Sequence, residues 1–466
     1  MFKKIIYCFF VFLFLLVLPL KVEARNIYGI HILETTEAEK AAQLVNSSGG
    51  DWGYITIVLR EDDLQKQKWQ EFFDNCRKLH LIPIVRIATR MVDGGVWAKP
   101  DMNALDKWPK FLSSLNWPVR QQIVTLFNEP NHAKEWGGEV NPQEYSKAMV
   151  DLISLFKKEN NNFFILNAGL DQAADGRNGT MREEDFLKAM FNFDQEIFNK
   201  LDGWASHSYP NHGFIGLPSD SGKASIKGFE WEIQFLKNHS LVKDLSVFIT
   251  ETGWPHKEGE QGNSRFYKSD KVAQLMEIAF KYWEENDSVK AATPFVLNYP
   301  KAPFDNFSWT KSDGTNYVQF EQIQSLSKNK GEPEQQESFS ISKVEIIDLL
   351  PTNYEYTKGK ITLKNTGQWI MGERRDFILN IKQSDPKLDI SEIKLEKGNL
   401  IYPGQEVSFD FSFKTGTKSA EHKFYIGDRE YKIFVFKPFD LKNKKVNIFK
   451  QITTKFKLWW YDFKEK

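Results

Sequence analysis

Glu129 stands in Thr125-Leu126-Phe127-Asn128-Glu129-Pro130-Asn131, and Glu251 in Phe248-Ile249-Thr250-Glu251-Thr252-Gly253-Trp254-Pro255. Each glutamate closes a run of apolar, strand-like residues, and the chain then breaks at Pro or Gly. That is how a buried strand delivers an acid into a cleft. Two carboxyls presented in this way can cleave a glycosidic bond by double displacement. One protonates the leaving oxygen while the other attacks the sugar, at a separation of roughly 5 to 5.5 Å. A lone glutamate at a strand end is ordinarily a surface or capping carboxylate. Two of them, each with a motif around it, point to catalysis.

Between residues 26 and 326 the pattern alternates strand and helix. The candidate strands are Ile27 to Leu33, Tyr54 to Leu59, Ile82 to Ala88, Ile123 to Phe127, Phe163 to Ala168, Gly203 to His207, Ser246 to Thr250 and Pro294 to Leu297. Helical spacing appears between them at Asp62 to Lys78, Pro142 to Lys158, Glu183 to Phe198, Lys223 to Asn238 and Ser269 to Glu285. Eight such cycles predict an α/β fold, a (β/α)₈ TIM barrel over residues 25–326. An open doubly wound sheet would need a Gly-rich phosphate loop after the first strand, and Gly29-Ile30-His31-Ile32-Leu33 is not one. In a barrel, active sites lie at the carboxyl ends of the strands. Glu129 ends the fourth strand and Glu251 the seventh, which face each other across the mouth. Arg86 ends the third in Val85-Arg86-Ile87. A guanidinium near Glu251 would keep that carboxylate ionised, the alternative being a structural ion pair inside the barrel. His31, on the first strand, points either to the sugar site or to the core.

Residues 327–338 are polar, contain Gly and Pro and lack an apolar period, which is the composition of a linker. Beyond them the period changes to two, as in Val407-Ser408-Phe409-Asp410-Phe411-Ser412-Phe413, with turn signals such as Asn365-Thr366-Gly367 between the runs. This predicts a C-terminal β-sandwich domain of immunoglobulin-like type over 339–437. The last stretch, 438–466, is basic and places Phe449, Ile452, Phe456, Trp459, Trp460 and Phe463 at three- and four-residue steps. On a helix this makes an aromatic stripe, suited either to a membrane or cell-wall surface or to docking on the protein itself.

Asn128-Glu129-Pro130 resembles the acid/base motif of glycoside hydrolase clan A, retaining TIM-barrel glycosidases with catalytic glutamates after strands four and seven. Phe248 to Pro255 is similar to the nucleophile motif of family 17 in that clan, the β-1,3-glucanases and glucanosyltransferases. Asn-Glu-Pro-Asn is closer to families 5 and 39, and His256 departs from the small polar residue that family 17 tends to carry after Gly-Trp-Pro. The resemblance implies that Glu129 is the general acid and then the base, that Glu251 is the nucleophile, and that Asn128 holds the sugar 2-hydroxyl. Trp204-Ala205-Ser206-His207-Ser208-Tyr209-Pro210 looks like the arrangement in which the tyrosine hydroxyl holds the nucleophile and the histidine borders the sugar. It also implies an aromatic platform from the end of strand eight. That stretch has no tryptophan of its own, so Trp309 or Tyr299 would serve there, beside Trp254. Trp97 and Trp136 would line outer subsites or brace loops.

Lys3 and Lys4, the apolar run Ile5 to Leu20 and Val22-Glu23-Ala24 read as a secretory signal peptide over 1–24, which predicts a secreted or cell-surface protein. Cys76 is then the single cysteine, a core residue among Trp69, Phe72 and Phe73 at helical spacing. Formal net charge is zero, so nothing points to nucleic acid. No cofactor is implied. A metal at His207 and His212 lacks a third ligand at sequence spacing, so no metal is expected. The expected partner is a polysaccharide or oligosaccharide, a β-glucan foremost. Two rivals stand beside hydrolysis. One is a transglycosylase using the same intermediate, and the other is a glycan-binding barrel without catalysis.

Overall fold

The computed structural model describes residues 25–259 and 262–437, together with 449, 450, 452–454, 456, 457 and 459. The expected leader at 1–24 and much of the tail, Trp460 and Phe463 included, lie outside the described residues.

Eight parallel strands follow one another in chain order: β1 (Gly29–His31), β2 (Gly53–Arg60), β3 (Leu81–Ala88), β4 (Gln122–Leu126), β5 (Phe163–Leu166), β6 (Gly203–His207), β7 (Ser246–Glu251) and β8 (Val289–Ala292). A parallel bridge from Tyr28 to Ala292 returns the last strand to the first and closes the sheet. Helices α1 (Ala38–Val45), α2 (Lys66–Lys78), α3 (Lys107–Ser113), α4 (Pro142–Glu159), α5 (Glu183–Phe193), α6 (Gly228–Lys237), α7 (Ser269–Glu285) and α8 (Val318–Ser325) make the connections. The chain is therefore a TIM barrel, as the alternating pattern predicts.

Helix α4 shows how local sequence sets an element. The Asn141 side chain accepts the Glu144 amide at 3.0 Å and Pro142 opens the first turn, which satisfies an orphan donor and presets φ. Tyr145, Met149, Leu152 and Phe156 then bury one stripe against the barrel. Cys76 packs the same way on α2, fully buried and free. Inside the barrel the lower layer is apolar, with Ile84, Ile123, Leu166, Ala205, Phe248 and Ala291. The layer above it is polar, where Thr56 and Thr293 share a 2.8 Å hydrogen bond and His31, Arg86 and Glu251 gather. Hydrophobic burial thus fills the base and leaves the carboxyl ends of the strands to polar groups.

Strand eight lies upstream of the expected Pro294–Leu297. Pro294 cannot donate to a ladder, and the amides after it bond outward, Phe295 to Thr252 O at 2.9 Å, Val296 to Phe307 O at 3.2 Å and Leu297 to His31 O at 2.9 Å. Those residues form a rim above the strand ends. Strand four likewise stops at Leu126, so Glu129 stands on the turn beyond it. Helix α6 starts at Gly228 and not Lys223, because Ala224 has φ +59°, outside the helical basin.

Beyond the barrel, two four-stranded sheets enclose a second core that includes Leu350, Ile361, Leu363, Phe411, Phe413, Phe424, Ile433 and Val435. One sheet pairs Phe339–Glu345, Glu355–Asn365, Glu406–Lys414 and Asp389–Ile390. The other pairs Leu349–Pro351, Arg429–Phe436, Ala420–Ile426 and Ile381–Gln383. This is a β-sandwich. The apolar–polar run Phe377 to Ile381 is split into Phe377–Ile378, which pairs with Lys394–Leu395, and Ile381–Gln383. Residues 327–338 are pinned to the barrel: Gly331 N bonds Asp51 O at 2.8 Å, and Glu334 O accepts Arg120 N at 2.7 Å. The sandwich itself touches the barrel where His80 lies between Asp51 and Glu373, at 2.7 and 3.2 Å.

Candidate active site

Strand β4 is buried throughout, and the chain then turns sharply through Phe127 at φ +72° and Glu129 at φ +29°. A bulky residue in the left-handed region is costly and persists only when its surroundings enforce it. Here the Phe127 ring meets Trp108 and Trp136 edge-on at 5.7 and 5.4 Å, and the Glu129 amide donates to Gly169 O at 3.1 Å. The turn aims the Glu129 carboxyl over the barrel mouth. Strand β7 is buried from Val247 to its end, and Glu251 is its last residue. A register shift between Ser206 and His207 sets His207 directly beside Glu251 in the β6–β7 pairing.

The fold brings Glu129, His207 and Glu251 together, with one ligand atom of each within 4.8 Å of the others. His207 Nδ1 lies 2.8 Å from Glu129 Oε1 and 4.0 Å from Glu251 Oε2. Arg86 donates through one nitrogen to Asn128 Oδ1 at 2.5 Å and to Glu251 Oε1 at 2.7 Å. The Tyr209 hydroxyl donates to Glu251 Oε2 at 3.2 Å. Glu251 therefore has a partner on each oxygen, and four of the expected site residues converge on it or on Asn128.

Burial alone would raise the Glu251 pKa. The positive charges of His207 and Arg86 and the Tyr209 hydrogen bond outweigh it and hold the carboxyl below the ordinary range. Burial pulls His207 down, but Glu251 and Glu129 pull it up more strongly, so it stays cationic more readily than a free imidazole. The Tyr209 phenol is driven well up by burial and by Glu251, which keeps it a donor. His31 is fully buried and driven down to about 3, first by desolvation; its Nδ1 is 3.8 Å from Glu251 Oε1. Neither of its ring nitrogens has a hydrogen-bond partner among the described residues, and its ring meets Phe295 at 5.2 Å. His31 thus packs beside Glu251 inside the barrel mouth.

The cluster of two carboxyls and an imidazole was invisible at sequence spacing, and it is a donor set of the kind that can hold a metal ion. Arg86 and Tyr209 already occupy the Glu251 oxygens, and His207 Nδ1 already faces Glu129. The guanidinium and the imidazole supply the positive charge that an ion would otherwise bring.

Trp254 and Trp309 were expected beside the sugar. They are 2% and 3% exposed, with Trp254 Nε1 donating to Gly216 O at 2.7 Å, so their faces are spent on packing. Trp136 is buried as well. The half-exposed rings of the rim are others. Tyr209 meets Phe214 at 5.2 Å, Phe214 meets Phe307 at 5.3 Å, and Phe295 meets both Phe307 and Phe304. Sequence spacing places Phe295 in a strand interior, but with β8 ending at Ala292 it lies beyond the strand end. Glu135 lies outside both motifs. It sits on the 3₁₀ turn Ala133–Glu135, where it lines one crevice with Arg86 and Asn128, and nothing in its local pattern separates it from Glu139 or Glu144.

Residues 96–317 match the family model described as the glycosyl hydrolase catalytic core. No curated protein matches the chain. Among solved structures, a family 39 glycoside hydrolase from the gut symbiont Bacteroides cellulosilyticus WH2 is similar at 14% identity and TM-score 0.46, over 84% of this chain and 81% of that one. A monomeric β-xylosidase from Caulobacter crescentus CB15 is similar at 10% identity and TM-score 0.45, over 84% and 97%. A family 128 (subgroup II) endo-β-1,3-glucanase from Pseudomonas viridiflava is similar at 12% identity and TM-score 0.42, over 65% and 98%.

Proposed function

We propose that this chain, whose residues 96–317 match a glycosyl hydrolase catalytic core, is a secreted, retaining β-glycosidase acting on a β-linked polysaccharide by double displacement. The observation that carries this reading is the approach of the Glu129 and Glu251 carboxyl oxygens to within 4.8 Å. Retaining enzymes hold their carboxyls roughly 5 to 5.5 Å apart, whereas inverting ones leave roughly 6.5 to 9.5 Å for a water.

In the first step Glu251, kept ionised by Arg86, attacks the anomeric carbon, and Glu129 protonates the departing oxygen. In the second step Glu129 takes a proton from water, and the water attacks the glycosyl–Glu251 ester. The Asn128 amide, its oxygen fixed by Arg86, has its NH₂ left to donate to the sugar 2-hydroxyl, a contact that strengthens in the transition state. The aromatic rim of Tyr209, Phe214, Phe295 and Phe307 offers rings to the apolar faces of sugars. A β-glucan is the first substrate to try, on the strength of the motif around Glu251.

Secretion rests on the basic and apolar pattern of residues 1–24. At the other end, Phe449, Ile452, Phe456 and Trp459 are exposed, and they stand among lysines. This favours attachment of the C-terminal region to a membrane surface. No helix among the described residues is long and apolar enough to cross a membrane.

The test is reducing-sugar release from a panel of β-glucans, xylan and mannan by the wild type and two variants. Glu251→Gln should abolish turnover. Glu129→Ala should lose about 10²- to 10⁴-fold on polysaccharide and recover on an aryl glycoside with an activated leaving group, where protonation is not needed. Normal rates in both variants would overturn the assignment.

A further inference from the structure

We propose that His132, aimed by Asp171, grips the sugar on the leaving-group side of the scissile bond, and that the same contact receives an acceptor sugar once the glycosyl–Glu251 ester has formed. This rests on the glycosidase reading and adds two residues that neither motif contains.

The pair is tied to the acid by two routes. His132 stands three residues beyond Glu129, and its amide donates to Glu129 O at 2.8 Å. Its ring Nε2 lies 2.8 Å from Asp171 Oδ2, while Asp171 Oδ1 accepts the Ala173 amide at 2.8 Å, so both oxygens of that carboxyl are committed. The backbone of Asp171 is clamped by the buried Asn131 side chain, which donates to Asp171 O at 2.9 Å and accepts the Asp171 amide at 3.2 Å. On its other side Asp171 forms a parallel bridge with His207, and His207 Nδ1 is the atom 2.8 Å from Glu129 Oε1. Glu129, His207, Asp171 and His132 thus form a closed circuit that fixes where the His132 ring stands relative to the acid.

The circuit lies on the side of Glu129, where the leaving oxygen takes its proton. Glu251 has its partners in Arg86 and Tyr209, and among the described residues no hydrogen bond or ion pair joins it to His132 or Asp171. The second ring nitrogen of His132, Nδ1, makes no hydrogen bond among the described residues and is not a buried atom, the side chain being 30% exposed. One nitrogen is therefore locked and the other is open. Burial opposes charge on the ring, but the Asp171 hydrogen bond and the charge of Glu129 outweigh it and raise the pKa. Cationic, Nδ1 donates; neutral, with its proton kept on Nε2 by Asp171, it accepts. A hydroxyl satisfies either form, which suits the contact to a sugar. In transfer, an acceptor hydroxyl gives its proton to Glu129 as its oxygen bonds the anomeric carbon, and the ester bond breaks to return the Glu251 carboxylate.

The test compares kcat/KM of wild type, His132→Ala, Asp171→Ala and the double variant on two kinds of substrate. These are β-linked gluco-, xylo- and manno-oligosaccharides and the p-nitrophenyl β-glycosides of the same sugars. On the oligosaccharide cleaved best, His132→Ala should lose about 10- to 100-fold, the cost of a hydrogen bond to a charged group. On the matching aryl glycoside the loss should be about tenfold smaller, because the nitrophenyl ring carries no hydroxyl for Nδ1. Asp171→Ala should show the same bias, and the double variant should lose no more than His132→Ala alone. With the aryl glycoside as donor and the matching disaccharide as acceptor, chromatography should show a transfer product from wild type. His132→Ala should form about tenfold less of it per hydrolysis product. Equal losses on the two kinds of substrate, additive losses in the double variant, or no transfer product from wild type would overturn the proposal while leaving the glycosidase reading intact. A wild type that cleaves none of the oligosaccharides, aryl glycosides or polysaccharides would sink the glycosidase reading, and the role of His132 with it.

Discussion

Arg86 binds Glu251 and Asn128 through one nitrogen, so it controls both the charge of Glu251 and the aim of the Asn128 amide. Arg86→Gln should cost about 10²- to 10³-fold in kcat/KM. It should also move the acid limb of the pH profile upward, because Glu251 is held below its ordinary range partly by this guanidinium and would return toward it. An unshifted limb would mean that Arg86 serves only packing. At this scale much was legible in the sequence. The two glutamates, Asn128, Arg86, His207 and Tyr209 were all marked by motif or strand-end position, and the fold places them in contact. The aromatic residues were not legible, because Trp254 and Trp309 sit in the right loops with their faces turned inward. Which way a ring points is decided by packing against residues distant in sequence.

At the scale of elements, β6 needs two kinds of support. Gly169 faces His207 so closely that a Cβ there would stand 2.1 Å from His207 Cδ2. Gly169→Ala should therefore displace the imidazole and cut kcat by about tenfold or more while the protein stays folded, as checked by kinetics alongside circular dichroism. Behind the strand, Glu183, which opens α5, and Glu232 of α6 are fully buried against each other. Desolvation raises both pKa values above the ordinary 4.5, and the charge of Glu232 pushes Glu183 further up. The sign follows from linkage. The folded state binds more protons than the unfolded one above pH 4.5, so stability is full in acid and declines as pH rises through the raised values. Glu232→Gln mimics the protonated acid and should flatten that decline, giving a Tm a few degrees above wild type at pH 8 and little different at pH 4. Neither carboxyl stood out in sequence, since each reads as a helix residue among several glutamates. Strand eight was misplaced for a related reason: its short Val-Lys-Ala-Ala run is less apolar than the rim segment that follows it.

For the whole molecule, the barrel and the sandwich meet at a histidine. Burial opposes charge on His80, but its hydrogen bonds to Asp51 and Glu373 overcome that and raise its pKa to about 9. A raised folded pKa means that the contribution is fully present below about 6.5 and is lost as pH climbs through about 9. Glu373→Gln should remove one of the two carboxylates and with it on the order of 1 kcal/mol at pH 6, measured by urea denaturation, and should cost nothing measurable above pH 10. Stability losses that are equal at both pH values would assign Glu373 to packing alone. The two-domain plan was legible because periodicity switches from helix-and-strand to strict alternation beyond residue 338. The contact between the domains was not, because it joins side chains with no shared pattern.

The account stands on one stereochemical consequence of Glu129 and Glu251 lying this close. Proton NMR of the first product formed from a β-linked oligosaccharide, recorded before mutarotation, reads it directly. The β anomer is predicted, because two displacements restore the configuration. A first product in the α form would contradict double displacement and the role given to Glu251.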